Sequence, residues 1–384
     1  MLKFLHATIG VRLDSNAHLA HRNAPLLKKR SNNMKKPITS ICFLLFGLVG
    51  VVPSQAAEIS GAGSTAAAPL YTKWQDAYAK KTGIKSSYQA IGSSGGIKKI
   101  SEGAVDFGAS DAPMPESELK KKNLLDFPTV ISGVVPFVNV QGLKAGELRL
   151  TPEILIGIYS GQILKWNDDA IVQQNPKLTL PNQAIVPIAR ADGSGTTFTL
   201  TDYFSRVNAE WKRKTGAGFT IAWPSNVVTV KGTSGLVASV NKTPGAIGYA
   251  EYAYIIENNL HYTLLRNREG RFVKPDASSF KAALANSDWE KTGNFEEMLT
   301  DKPGTGSWPI TGGTYVYVPR VTNNPAQTAE ALKFFTWAFI TGDEIANSLD
   351  YIRLPDRVQA RVYREISSVV DAKGNRLAIP IDVR

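Results

Sequence analysis

Residues 189–204 read ARADGSGTTFTLTDYF. Arg190, Asp192, Gly193, Ser194, Gly195, Thr196 and Thr197 crowd together just ahead of a segment with helical character. Consecutive small residues let the backbone curl so that several N–H groups point the same way. A helix starting there adds its unpaired first-turn donors and the positive end of its dipole. Ser194 and Thr196 contribute hydroxyls, and Arg190 contributes a fixed positive charge. The combination is a site for a small anion.

The pattern recurs. Residues 60–69, SGAGSTAAAP, and 91–100, IGSSGGIKKI, again place Gly with Ser or Thr ahead of helix-like runs. Residues 106–113, DFGASDAP, bring an acid, Asp111, onto a loop after a short apolar stretch. A single Gly-Ser-Gly reads more readily as an ordinary strand-to-helix turn. Three such starts, with Asp111 and Arg190, can converge on one oxyanion.

The chain has 384 residues, 43% hydrophobic and 20% charged, enough for two domains and a sizeable core. Its net charge of +11 is misleading, because residues 1–57 hold eight Lys or Arg and one acid, and the rest carries only +4. The basic balance therefore implies no nucleic-acid partner. Residues 1–57 read as a targeting segment: Met34-Lys35-Lys36 is a positive start, 41–52 an apolar run too short to span a bilayer comfortably, and Ser54-Gln55-Ala56-Ala57 a set of small residues for cleavage near 56–57. Residues 1–33 are then a mis-assigned upstream start or an extended leader. The only cysteine, Cys42, and three of the four histidines fall in this leader. Disulfides, thiol chemistry and His/Cys metal clusters are excluded from the remaining chain. His261 reads as a surface or packing residue.

Strand-like and helix-like runs alternate through the mature chain, so the fold class is α/β. Helices are expected at 69–81, 97–102, 115–122, 151–159, 198–211, 233–240, 276–285, 290–299, 329–340, 343–349 and 358–369. Strands are expected at 85–90, 105–109, 127–140 (as one or two), 185–189, 245–249 and 315–319. No linker marks a simple cut. An interleaved pair of lobes fits better, with lobe I formed by 58–130 plus 303–384 and lobe II by 131–302. A ligand between such lobes is buried on closure.

Taken in order, GAGST, IGSSGG, VDFGASDAP, ADGSGT and PGAIGYAEYAY resemble the periplasmic phosphate-binding proteins of Pst-type ABC transporters, over roughly residues 58–377. The resemblance implies a two-lobed periplasmic binding protein of the Venus-flytrap kind, type II-like, holding dehydrated phosphate in the cleft. It implies phosphate ligands at Thr65 (hydroxyl), Ala66 (backbone N–H), Ser93, Asp111, Arg190, Ser194, Gly195 and Thr196, with Asp192 holding the Arg190 fork. Ala66 departs from the family, which commonly has Phe there; a backbone N–H survives the change. The resemblance further implies a monomer in the periplasm that works with membrane permease subunits and their ATPase, with no metal, no cofactor and no catalytic residue.

The residues agree with this assignment on physical grounds. A buried divalent anion needs every oxygen hydrogen-bonded, and neutral dipoles can supply most of the donors. Asp111 accepts from a protonated phosphate oxygen, whereas against sulfate it is a buried like charge, a mismatch of several kcal/mol on the order of an unpaired buried charge. Another oxyanion, such as sulfate or molybdate, is the alternative ligand. A phosphatase lacks metal ligands, a Gly-x-Ser-x-Gly elbow and a free choice of histidine, and a P-loop needs the lysine that ADGSGTT lacks. A sugar or amino-acid receptor is the third class. Seven tryptophans could stack on a sugar, but Trp74 and Trp337 sit at helical core spacing.

Overall fold

The computed structural model describes residues 58–379. The expected leader lies outside the described residues. Among those described, no helix is long and apolar enough to cross a membrane.

The chain opens with β1 (Ile59–Gly63), α1 (Ala68–Thr82), β2 (Ser86–Ala90), α2 (Ser93–Ser101), β3 (Phe107–Ser110), α3 (Glu116–Lys121) and β4 (Leu124–Asn139). β1 pairs in parallel with both β2 and β3, so α1 and α2 are the crossovers of two βαβ units. The helix of the 97–102 stretch begins earlier than expected, at Ser93. The glycine loop is itself the first turn, entered through Gly92 at φ 89, a conformation open to glycine. Gly83, also left-handed, ends α1 as the sequence suggests. The basic end of α3 is solvated, with Lys120 and Lys121 reaching back to Glu116 and Glu118.

The middle of the chain carries β5 (Arg149–Leu150), α4 (Pro152–Tyr159), α5 (Asp169–Gln174), β6 (Val186–Arg190), α6 (Gly195–Val207), α7 (Ala209–Lys214), β7 (Val228–Val230), α8 (Thr233–Lys242), β8 (Ala246–Glu251), α9 (Tyr252–Glu257), β9 (His261–Tyr262), β10 (Leu264–Arg266) and β11 (Phe272–Val273). The single helix expected over 198–211 is two. Asn208 leaves the helix and caps α7 by accepting from the Trp211 N–H. Asparagine does this because its short amide competes for backbone donors.

The rest is α10 (Ala277–Ala285), α11 (Asp288–Thr292), β12 (Thr311–Pro319), β13 (Val321–Thr322), α12 (Pro325–Thr341), α13 (Asp343–Ser348), α14 (Asp356–Ile366) and β14 (Val370–Asp371). The helix expected over 290–299 is not formed. α11 stops at Thr292 because Gly293 turns left-handed, and the chain then runs irregularly to Leu299. Near the end of the described chain, β14 pairs in parallel with β13.

One sheet runs in the order β2-β1-β3-β12-β4-β8-β6-β7, with β9 also on β4. β4 is a single 16-residue strand, buried almost throughout, which explains its largely apolar sequence. It pairs with β12 up to Gly133 and with β8 from Val134 onward. Pro128 cannot donate to the ladder, and the register shifts beside it, at Thr314/Tyr315. The displaced Thr129 meets the Tyr71 hydroxyl at 2.8 Å and donates to the Thr314 carbonyl at 3.1 Å.

α1 and α12 cover the β1–β3 side. Tyr71, Trp74, Phe107, Phe127 and Phe335 interlock there with centroids 4.9–6.2 Å apart, mostly edge to face. Burying each ring is worth about 1.5–3 kcal/mol. Trp74 is thus a core residue, as its spacing suggests. α10 and α11 pack on the same half: Phe280 lies over Gly133, and Trp289 lies against Gly313 and Tyr315. This stretch therefore sits with the β12 side of the sheet, not with β6–β8, to which the sequence reading assigned it.

Candidate functional site

The strands β1, β3 and β6 all end at one place. The Ser64–Ala67 turn follows β1, Asp111 follows β3, and Arg190 closes β6 ahead of the Asp192–Ser194 loop. Helices α1, α2, α6 and α8 begin there. No side chain caps α1, α2 or α8, so their first-turn N–H groups have no side-chain acceptor of their own. α6 is capped, Ser194 Oγ accepting from the Thr197 N–H at 3.2 Å. Ligands at the carboxyl ends of strands, facing helix N-termini, are a general feature of open α/β sheets.

All eight expected ligand positions are buried around this point. Arg190 is only 2% exposed. Its Nε donates to Asp192 Oδ1 at 2.8 Å, and its Nη2 donates to Asp192 Oδ2. Asp192 Oδ1 also accepts from the Gly232 N–H at 2.9 Å. Burial works against charge on both members, but the pair prevails, raising Arg190 and lowering Asp192 from their ordinary values. The expected bracing of Arg190 by Asp192 is thus visible in the geometry. Nη1 is left to point inward, donating to Thr65 Oγ1 and Thr233 Oγ1, each at 3.0 Å.

Asp111 is 7% exposed. Its Oδ1 accepts from Ser64 Oγ at 2.5 Å and from Thr314 Oγ1 at 2.7 Å. Burial pushes its carboxyl above the usual range, against the pull of the Ser64 and Thr314 hydroxyls and of Arg190. Ser93 Oγ lies 3.3 Å from the Asp111 N–H and accepts from it. The Ala66 N–H donates to Ser64 Oγ at 3.0 Å, and its carbonyl accepts from the Tyr351 hydroxyl at 2.5 Å. The Tyr254 hydroxyl holds the Thr65 carbonyl at 3.0 Å.

The loops touch across the site. The Ser94 N–H donates to the Gly193 carbonyl at 3.0 Å. Gly195 lies so close to the opposite loop that a Cβ there would meet Ser93 Oγ, Asp111 Oδ2 at 2.6 Å and Asp111 Cβ at 2.7 Å.

Four participants escaped the sequence reading. Thr233 opens α8 after Gly232, in the run KGTSG, a fourth small-residue helix start that was seen only as a helix. Ser64 and Thr314 hold Asp111. Glu251, inside the quoted PGAIGYAEYAY, ends β8 and is 3% exposed. Its Oε1 accepts from Thr196 Oγ1 at 2.5 Å, while Oε2 is buried without a partner. Burial and the Asp111 charge push its carboxyl up to about 7.

Comparison with known proteins follows the same line. A family model of the PBP superfamily domain matches residues 50–341. The chain is 43% identical over 309 residues to the phosphate-binding protein PstS of Xylella fastidiosa, covering 80% of this chain and 85% of that one. It is 42% identical over 335 residues to the PstS of Pasteurella multocida, covering 86% and 96%. Among solved structures, the Stenotrophomonas maltophilia phosphate-binding protein matches with a TM-score of 0.60 at 21% identity, over 80% of this chain and 94% of that one. The periplasmic phosphate-binding protein PfluDING, solved with phosphate bound, matches with a TM-score of 0.63 at 18% identity, over 80% and 93%. At those identities the structures speak for the fold, the α/β architecture of two-lobed periplasmic binding proteins, and the close sequence relatives speak for the family. The chain belongs to the PstS family of phosphate-binding proteins, within the PBP superfamily.

Proposed function

We propose that the protein binds inorganic phosphate between two lobes and delivers it to an ABC transporter for import. The lobes meet along β4, one built on the β1–β3 and β12 side and the other on the β8–β6–β7 side. The ligand set is Thr65, Ala66, Ser93, Asp111, Arg190, Ser194, Gly195 and Thr196, with Asp192 bracing Arg190. The observation that carries the reading is the buried acid Asp111, set among donors from several helix starts and one arginine. An acid suits a ligand that brings its own proton and opposes one that has none.

Arg190 counters part of the anion's charge, and the helix dipoles counter more without adding mobile cations. The protein works as a carrier and not as an enzyme, in keeping with the phosphate-binding proteins it resembles in sequence. It works in the periplasm as a monomer, after removal of residues 1–57, and docks on the permease subunits of the transporter. The names of its sequence relatives support the ligand. Isothermal titration of protein stripped of ligand tests this reading. Tight one-to-one binding of phosphate, with sulfate far weaker, is expected, and absence of phosphate binding refutes it. Mass spectrometry of the exported protein, expected to start near residue 57 or 58, tests the leader.

A further inference from the structure

Thr196 has one hydroxyl hydrogen and two claims on it. Its Oγ1 lies 2.5 Å from Glu251 Oε1, a separation at which the two must share a hydrogen. In the phosphate reading, on which this inference rests, the same hydroxyl faces the anion. If Glu251 is charged, Thr196 must donate to it, because a carboxylate can only accept. The anion then meets the oxygen lone pairs of Thr196, not its hydrogen. A second buried negative charge also stands near an anion that Asp111 already faces.

We propose that Glu251 is a positioning residue of the anion site and enters the complex as the neutral acid. Its O–H donates to Thr196 Oγ1, and the Thr196 O–H is thereby turned to the anion. Binding of the anion takes up this proton from solvent, the hydrogen-bond chain reverses direction, and no covalent bond to carbon or phosphorus changes. Glu251 thus couples anion binding to protonation through Thr196 without being a ligand itself.

The surroundings of Glu251 favour the neutral form. The residue is 3% exposed, and Oε2 is buried with no donor of its own. A buried carboxylate lacking donors on one oxygen is costly; the acid is much less so. The ionisable groups facing it come from several elements: Asp111 after β3, Arg190 on β6, Tyr254 on α9 and Tyr351 before α14. Arg190 is the cation among these, and Asp192 already holds the Nε/Nη2 edge of its guanidinium. Asp111 adds repulsion. Burial together with Asp111 brings the carboxyl to about 7, within reach of the small extra push a bound anion supplies.

The test compares wild type with Glu251→Gln, whose amide NH₂ donates to Thr196 Oγ1 at any pH. Phosphate dissociation constants are measured for both by titration calorimetry from about pH 6 to about pH 9, where a singly linked proton gives a slope approaching tenfold per pH unit. The ionisation of phosphate itself cancels in the ratio of the two constants. The wild-type constant should rise relative to that of the variant by up to about tenfold per unit above about pH 8. A ratio that stays constant across the range, with wild type binding phosphate normally, overturns the role of Glu251 alone. Failure of wild type to bind phosphate overturns the site reading along with it.

Infrared difference spectra of wild type on adding phosphate provide a measurement that does not depend on the variant. At about pH 8, above the Glu251 value, a gain in the protonated-carboxyl C=O band supports the proposal, and its absence refutes it even if Glu251→Gln does not fold.

Discussion

Gly195→Ala separates ligand binding from folding. Gly195 is the first residue of α6 and has ordinary helical backbone, so alanine is tolerated conformationally and should stabilise the unliganded chain by about 0.5 kcal/mol. The new methyl, however, would stand 2.6 Å from Asp111 Oδ2 and 2.7 Å from Asp111 Cβ, with Ser93 Oγ nearer still. Relaxed contacts between such atoms need about 3.5 Å, so the loops must part by roughly 1 Å. Asp111 is braced by Ser64 and Thr314 and cannot easily swing aside. Overpacking of this kind costs about 1–3 kcal/mol, and in the proposed two-lobed mode of binding it falls on the closed arrangement. At about 1.4 kcal/mol per tenfold, phosphate affinity should fall by about 5- to 150-fold. Titration calorimetry on stripped protein measures the loss, and thermal melting of the same sample should show an unchanged or slightly higher midpoint. Unchanged affinity would mean that the two loops do not meet in the bound state. A collapsed melting point would mean that Gly195 is needed for folding and not for closure.

Arg190→Ala should weaken phosphate binding without abolishing it, since the helix starts remain. Asp192→Ala should weaken it less, by freeing the Arg190 fork; calorimetry that finds neither effect would remove this loop from the site. Asp111→Asn should narrow the preference for phosphate over sulfate in competition titrations, because the amide no longer repels a fully ionised anion; an unchanged preference would mean that Asp111 does not face the ligand. Asp126, near Glu116, Glu296 and Glu365, is pushed up to about 7, chiefly by burial. Its folded value thus lies above the unfolded one, so its contribution is full below the unfolded value and is lost as pH rises toward about 7. Asp126→Asn should therefore lose less thermal stability than wild type between about pH 5 and about pH 8, and parallel losses would contradict the shift.

The helix starts were legible because their signal is local. Gly92 and Ser93, or Ser194 and Gly195, announce a turn and its donors within a few residues, and Asp111 stands out as the acid among them. What the sequence concealed is long-range. Ser64 and Thr314 lie 47 and 203 positions from the carboxylate they hold, and Thr196 and Glu251 lie 55 apart. No spacing rule connects such pairs; the sheet order does. The 290–299 stretch misled for a different reason: its composition suits a helix, but Gly293 breaks it and Trp289 is drawn into the core against Tyr315. Local preference yields where burial of a large ring is at stake.

The change of partner in β4 at Gly133/Val134 also limits how this protein can be taken apart. The strand is an interior member of both halves of the sheet, with β12 on one stretch and β8 on the next. A gene cut within β4 leaves each fragment with an unsatisfied sheet edge, so split reporters and circular permutants made there should aggregate rather than reassemble. The exposed turn after β4, near Gly142 and carrying no close neighbours, is the better place to open the chain. New termini there keep the shared strand intact, so a fluorophore could be attached to them without opening either half of the sheet.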